Sequence, residues 1–200
     1  MTENSNAITT ELIKQLRDKT GISVMQCKKA LDETAGDMEK AVMLLQKKSA
    51  DVASSKQGRT LNSGVVASYI HATGNVGTMI ELLCETDFVA NNEEFKKIAR
   101  DIAMHATATN PQFLKTEDID EHAMELAKEM FAKEVEGKPE EMKEKILEGK
   151  LAAYWGERVL LNQAFIKNPE QTITDLLNTA VQKFGEKIEI GRFVRFSIAQ

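Results

Sequence analysis

The sequence predicts an α+β protein, in which a three-stranded antiparallel sheet packs with helices and two charged helices protrude as an antiparallel hairpin. Alternating apolar residues predict strands at 65–71, 78–84 and 186–199, and the first two flank a turn that contains glycine. Helical periodicity dominates the remaining chain, which favours helices on one face of the sheet. With 42% hydrophobic and 28% charged residues among 200, the chain has the composition of a globular protein.

Residues 1–48 are predicted to form a small module of three short helices. Thr9, Ser23 and Asp37 stand at N-cap positions, where a side-chain oxygen accepts a hydrogen bond from the first helical turn. Gly21 and Gly36 stand where helices end, because glycine readily adopts the left-handed conformation of a C-terminal cap. The second helix is expected over 23–34 and the third over 37–48, with a buried stripe of Met38, Ala41, Val42 and Leu45.

Met25 is the first candidate contact residue. The second helix is expected to bury Val24, Cys27 and Leu31, which recur at helical spacing. Met25 lies about 100° around the helix from Val24, in a sector of polar and basic side chains. A flexible thioether on such a face suits binding to another protein. Loose packing at the start of a helix would explain the same position, so both interpretations stay open.

The rest of the chain is predicted to contain a linker and a core domain. Residues 49–63 are rich in small and polar residues and carry no lasting apolar stripe, which is typical of a linker. Residues 64–200 are expected to form the α+β core. Within it, two charged helices joined by a turn at 137–139 predict a helical hairpin at about 117–155, with a reach of about 25 Å. Its first arm is expected to pack through Ile119, Ala123, Leu126 and Met130.

Phe88 is the second candidate contact residue, and two interpretations of it are open. Counting by twos from Leu82 puts Phe88 on the apolar face of the strand, where it would be buried. Thr86 and Asp87, however, break the apolar run and favour a turn. In that case Phe88 lies in a short loop before a helix that begins near Asn91, and its ring points off the end of the strand.

Charge, apolar runs and cysteine content exclude several classes of protein. A formal net charge of −5 argues against a protein that binds nucleic acid non-specifically, since that needs a basic surface. The sequence starts without the basic and apolar segments of a signal peptide, and no apolar run is long enough to span a membrane. Cys27 and Cys84 are too few for a disulfide framework and are expected to be reduced, buried thiols. We therefore expect a cytoplasmic protein.

The sequence contains none of the common catalytic, nucleotide-binding or metal-binding motifs, so we expect no enzymatic activity, cofactor or metal. His71 ends a strand and His105 lies on the apolar face of a helix, and neither has a nucleophile or an acid to work with. Three surfaces are instead expected to contact another protein: Met25, the turn that carries Phe88, and the helical hairpin.

Several segments, taken in chain order, carry a family resemblance. Two are signatures: LRDKTGISVMQCKKAL at 16–31 and ETDFVA at 85–90. The further segments are TAGDMEKA at 34–41, YIH at 69–71, IAMHATATNP at 102–111 and IGRFVRFSI at 190–198. With them the chain resembles the elongation factor Ts family, whose members are guanine-nucleotide exchange factors for elongation factor Tu in bacterial translation.

This resemblance implies a site on the surface of the chain. The three-helix module would be of the ubiquitin-associated type and would dock on the GTPase domain of elongation factor Tu. The side chains of Asp87 and Phe88 would enter between GTPase helices, promote GDP release and disturb the magnesium and phosphate sites. The implied contact residues are Val24 (a Met in some relatives), Met25, His71, Thr86, Asp87, Phe88 and Val89.

The resemblance also implies partners. Some family members have two tandem core subdomains, whereas this chain has one core hairpin and resembles the short form, in which two copies pair as a homodimer. The expected partners are elongation factor Tu and a second copy, with no direct binding of nucleotide, nucleic acid or membrane and no cofactor. The alternative function is a ubiquitin-associated-type protein-binding adaptor without exchange activity, which would have no use for an aromatic residue at 86–89.

Overall fold

Eight α-helices and five strands lie in residues 8–133 and 139–198, the part of the chain that the computed structural model describes. This mixture of helix and sheet confirms the predicted α+β class. The helices are α1 Thr10–Thr20, α2 Val24–Glu33, α3 Met38–Ser54, α4 Asp87–Ala90, α5 Glu93–Thr109, α6 Glu121–Ala132, α7 Glu140–Gly156 and α8 Ile173–Phe184. The strands are β1 Ser63–Ile70, β2 Val76–Cys84, β3 Ala164–Phe165, β4 Asn168–Thr172 and β5 Glu189–Ser197.

The main sheet has the three predicted strands in the order β1-β2-β5. A second sheet, in which β3 and β4 pair antiparallel, was not predicted, because its strands are short and β4 contains Pro169. Between β1 and β2, only Gly74 has a positive φ, of 71°. Gly77 instead lies within β2, where a Cβ atom would come 3.0 Å from the carbonyl oxygen of Tyr69. This glycine therefore permits a close approach of two backbones.

The described chain divides into two compact units. The first comprises the described residues of Met1–Gly64 together with Leu83–Phe95 and Asp175–Glu189. The second comprises Val65–Leu82, the described residues of Lys96–Thr174 and those of Ile190–Gln200. The sequence-based division into residues 1–48, 49–63 and 64–200 stays a prediction. Helix α3, however, continues to Ser54, so it runs into the segment predicted as a linker.

The three-helix core of the first unit follows the predicted pattern, with one exception. Leu16, Cys27, Leu31 and Leu45 are fully buried or nearly so, and the caps at Thr9, Ser23 and Asp37 all accept the expected backbone hydrogen bond. The exception is Val24, which was expected in the core and is 49% exposed. Val24 is the first residue of α2, and helical side chains lean towards the N-terminus, so it extends past the end of the packed helix.

Helices α6 and α7 are present as predicted, although residues 134–138 of the turn between them lie outside the described residues. The contact between the two helices follows the predicted seam at Ile119 and Ala123, which pack against the buried cluster, but Leu126 and Met130 are half exposed. Ala127 is buried instead, in a cluster with Trp155 and Val159. The Phe131 and Tyr154 rings also meet edge to face at 5.5 Å. Beyond Ala123, the contacting residues of α6 are therefore Ala127 and Phe131, each one position after the predicted Leu126 and Met130.

His105 is a satisfied structural residue, as predicted. It is fully buried in α5, where its Nε2 atom lies 2.9 Å from Oε1 of Gln163. Its Nδ1 atom accepts a hydrogen bond of 3.3 Å from the backbone N–H of Ile166. The neutral ring with a proton on Nε2 satisfies both contacts, whereas a proton on Nδ1 would face another donor. Burial also lowers the pKa of His105 below its usual value.

We expect the free energy of unfolding to fall as the pH drops below about 6.5, the usual pKa of histidine in an unfolded chain. Because the folded-state pKa of His105 is lowered, the unfolded chain binds the extra proton first. The contribution of His105 is therefore complete above pH 6.5 and is lost at up to about 1.4 kcal/mol per pH unit below it. Urea denaturation at pH 7.5, 6.5 and 5.5 measures this loss. His105→Gln should remove most of this dependence of the free energy of unfolding on pH. An unchanged dependence in that variant would contradict the assignment.

Candidate functional site

The segment 86–90, which we call the tip, follows the end of β2. Thr86 is the N-cap of α4, and its side chain accepts a 3.5 Å hydrogen bond from the backbone N–H of Val89. Asp87 and Phe88 are exposed, and Phe88 retains 82% of its accessible surface. Val89 and Ala90 are buried. A single helical turn therefore presents an acidic and an aromatic side chain to solvent while its other side is fixed in the core.

Phe88 is exposed because the strand ends before it. Counting by twos puts Phe88 on the apolar face only if the extended backbone continues, and β2 stops at Cys84. In the helical turn that follows, consecutive residues differ by about 100° in direction. Val89 then occupies the inward position, and Phe88 the outward one. The interpretation of Phe88 as a residue of the strand's buried face is therefore excluded in this structure.

Val89 is placed differently from the contact residue that the resemblance implied. Its side chain is only 3% exposed, so little of it is presented to a partner in this conformation. Its apolar side chain faces the interior because burying it stabilises the fold, whereas burying the neighbouring Asp87 would carry a large desolvation cost. Val89 instead anchors the tip to the body of the first unit.

A network of charged side chains surrounds the base of the tip. The Glu186 carboxylate accepts hydrogen bonds from the backbone N–H groups of Glu85 and Thr86, both at 3.0 Å. The Glu85 carboxylate accepts one of 2.6 Å from the backbone N–H of Lys187 and pairs with Arg59 at 3.1 Å. The Lys187 hydrogen bond, followed by the Arg59 contacts, lowers the pKa of Glu85 below its usual value.

An exposed apolar pair lies at the start of α2, in the same unit as the tip. Met25 is 75% exposed, and the neighbouring Val24 is 49% exposed. The buried side of the same helix carries Cys27, Ala30 and Leu31. The Ser23 cap fixes the first turn of α2, so the two side chains stand on an ordered backbone.

His71 belongs to the second unit, unlike the other six predicted contact residues. It follows β1 and is exposed, and its backbone N–H donates a 2.9 Å hydrogen bond to the carbonyl of Val76. Its Nδ1 atom lies 3.4 Å from the Tyr69 hydroxyl. This arrangement leaves the ring at the surface, next to the turn between β1 and β2.

The sequence analysis missed an exposed apolar surface on the sheet. Ile70, Met79, Phe196 and Ile198 line one groove of about 450 Å³, and all four side chains are exposed. Val66 and Val194 are exposed on the same strands at alternate positions. We call these six residues the outer sheet face. The alternation of apolar residues along the strands indicates two faces of the sheet, but it does not indicate which of them the helices cover.

The described residues contain neither a cluster of metal ligands nor a membrane-spanning helix. Among residues 8–133 and 139–198, no three side chains of His, Cys, Asp or Glu come together as metal ligands. None of the described helices combines the length and the apolar composition needed to cross a membrane. Cys27 and Cys84 are both free and buried, as predicted. Burial raises the pKa of each thiol above its usual value, which makes both less reactive.

Comparison with known proteins matches the chain to one family. The family described as "Elongation factor TS" matches residues 6–200. Elongation factor Ts of Thermodesulfovibrio yellowstonii is 48% identical over 195 residues, which cover 97% of this chain and 98% of that protein. Elongation factor Ts of Desulfotalea psychrophila is 48% identical, with 96% and 98% covered, and that of Carboxydothermus hydrogenoformans is 45% identical, with 96% and 90% covered. The chain belongs to the elongation factor Ts family.

Proposed function

We propose that this chain is a guanine-nucleotide exchange factor that binds the GDP form of elongation factor Tu and promotes release of GDP. The observation that carries the proposal is the tip, where a Phe88 side chain that is 82% exposed stands on a helical turn anchored by buried residues. An exposed large aromatic residue on a fixed backbone is typical of a residue that inserts into a partner. In our proposal, Asp87 and Phe88 enter the GTPase and disturb its magnesium and phosphate site.

The remaining contacts divide between docking and support. Val24 and Met25 form an exposed apolar pair that would dock the three-helix module on the GTPase domain. His71 would add a contact from the second unit, and Thr86 would reach the partner at the edge of the tip. Val89 would act from inside by holding the tip in place.

No covalent chemistry is needed for this function. An exchange factor that binds the nucleotide-free GTPase more tightly than the GDP form must weaken GDP binding by the same factor. The size of the effect is set only by the difference between the two affinities. We therefore propose a protein that acts by binding and is not an enzyme.

Release of fluorescent GDP from elongation factor Tu, measured by stopped flow with and without this chain, tests the proposal. We expect the chain to accelerate release in a saturable manner. A protein-binding adaptor would bind the GTPase, or another partner, without any change in the rate of release. An unchanged rate despite measurable binding would therefore favour the adaptor.

We also propose that two copies of the chain pair through the outer sheet face. A monomer that exposes a contiguous apolar surface on a sheet leaves favourable burial unused, and two sheets pack face to face readily. The surface is self-complementary in composition, as a two-fold interface requires, since apolar side chains dominate it. The match covers 98% of two of the relatives, which supports a family form of about this length.

Phe196→Glu is expected to convert the homodimer to a monomer. Phe196 is 67% exposed and lies in the groove of the outer sheet face, so two copies of a buried carboxylate would oppose pairing. Light scattering at about 50 μM should give twice the chain mass of 22.3 kDa for the wild type and the single mass for the variant. Met43→Glu is the matched control, because Met43 is 68% exposed on α3 and is not one of the residues of the outer sheet face. A wild-type protein that is monomeric under these conditions would contradict the proposal.

A further inference from the structure

We propose that Glu186 is the positioning residue of the tip: by binding the chain at Glu85 and Thr86, it holds Phe88 ready for insertion into the GTPase. The inference rests on the proposed function and deepens it. Glu186 lies a hundred positions beyond Thr86 in the sequence and follows the end of α8. It belongs to the same compact unit as the tip.

The Glu186 carboxylate makes three contacts with two consecutive residues. Its Oε2 atom accepts the backbone N–H groups of Glu85 and Thr86, each at 3.0 Å. Its Oε1 atom accepts the Thr86 hydroxyl at 2.5 Å. Hydrogen bonds to an ionised acceptor are stronger than those between neutral groups. Both oxygens of Glu186 are thus used to fix the chain immediately before α4.

The contact with the Thr86 hydroxyl also controls the cap of α4. The Thr86 hydroxyl has one proton, which it donates in the hydrogen bond to Glu186. A lone pair of the same oxygen then accepts the hydrogen bond from the Val89 N–H. Without Glu186 the hydroxyl could rotate and donate elsewhere. The short helix α4 has only four residues and few internal hydrogen bonds of its own, so it depends on this cap.

The support is reciprocal across the two chain segments. Glu85 accepts from the backbone N–H of Lys187, while Glu186 accepts from the backbone N–H of Glu85. Gly185, with a φ of 73°, ends α8, and its carbonyl accepts a 2.8 Å hydrogen bond from Nζ of Lys56. Hydrogen bonds therefore anchor the backbone on both sides of Glu186, so its carboxylate has a fixed position from which it can stabilise one conformation of the tip.

A fixed tip matters for exchange because insertion would otherwise have to order it. Binding energy that orders a mobile segment is lost from the interaction itself. If Glu186 preorganises the tip, its removal lowers the fraction of docked complexes in which Phe88 is inserted. Docking through Met25 is unchanged, since α2 makes none of these contacts. The expected signature is a lower maximal rate of GDP release at an unchanged half-saturating concentration.

Four variants test the inference: Glu186→Ala, Glu186→Gln, Thr86→Val and the conservative Thr86→Ser. Glu186→Ala should lower the maximal rate about tenfold, because it removes three hydrogen bonds to a charged group. Glu186→Gln, which keeps one acceptor oxygen, and Thr86→Val, which loses the hydroxyl, should give intermediate losses. Thr86→Ser keeps the hydroxyl and should lose less of the maximal rate than Thr86→Val. The half-saturating concentration should stay within about twofold in both Glu186 variants.

A readout without elongation factor Tu separates positioning from general stability. In Glu186→Ala, amide hydrogen exchange should accelerate at Glu85, Thr86 and Val89, while amides of α2 and the middle of α5 keep their protection. Uniform acceleration over the whole chain would instead indicate a merely structural residue and would overturn the inference. Glu186→Gln carries the same test if the alanine variant does not fold.

The rates distinguish failure of this inference from failure of the proposed function. If elongation factor Tu releases GDP as fast with Phe88→Ala as with the wild-type chain, the proposed function itself is wrong. If Phe88→Ala is defective but folded Glu186→Ala and Glu186→Gln keep the wild-type maximal rate, only the positioning role is wrong. If both are correct, the double variant with Phe88→Ala and Glu186→Ala should be no slower than Phe88→Ala alone.

Discussion

Phe88→Ala is expected to lower the stimulated rate of GDP release from elongation factor Tu about thirtyfold or more, which corresponds to about 2 kcal/mol, while the folded protein stays intact. The loss follows from removing the one large apolar side chain that the tip exposes. The unchanged stability follows from the same exposure, since surface substitutions alter the free energy of unfolding by about 0.5 kcal/mol or less.

Met25→Ala is the matched control for this prediction, because Met25 is 75% exposed on a different element of the same unit. It should weaken docking and raise the half-saturating concentration, while the maximal rate stays near that of the wild type. Stopped-flow release at a series of exchange-factor concentrations separates the two parameters. Wild-type rates from Phe88→Ala at every concentration would defeat the assignment of the tip.

The features that sequence predicted correctly are governed by local chemistry. Ser23 and Asp37 cap their helices because the acceptor and the donor lie three residues apart, a spacing that is visible in the sequence itself. The apolar stripe of α3 likewise follows from helical spacing alone. The tip is an intermediate case, because strand counting and turn chemistry gave opposite answers for Phe88. Only the end of β2 at Cys84 decides between them.

The features that sequence missed depend on the tertiary arrangement. Val24 has the right spacing for the core, yet it lies at the end of its helix, beyond the packed turns. The outer sheet face could not be identified, because alternation gives two faces without saying which one the helices cover. Glu186 lies too far from Thr86 in sequence for any local pattern to connect them. Each of these depends on which segments meet, and periodicity does not carry that information.

Phe95→Ala is expected to destabilise the protein by about 3–5 kcal/mol, the cost of removing a fully enclosed aromatic side chain. Phe95 is 0% exposed and meets the Phe184 ring edge to face, with the ring centroids 5.9 Å apart. Its replacement loses the apolar burial and leaves a cavity in the unit that carries the tip. Urea denaturation of the wild type and the variant, followed by circular dichroism, measures the difference.

Phe88→Ala is the internal control for this measurement, since two phenylalanines seven positions apart are then tested by the same truncation. Removal of the buried ring should lower the free energy of unfolding, whereas removal of the exposed ring should lower only the rate of GDP release. Because any exchange defect of Phe95→Ala would follow from unfolding, it should diminish when the variant is assayed at low temperature, well below its unfolding midpoint. The defect of Phe88→Ala should persist there. Equal losses of stability in the two variants would mean that the Phe88 ring packs within its own chain, and the tip would then have no free aromatic side chain to insert.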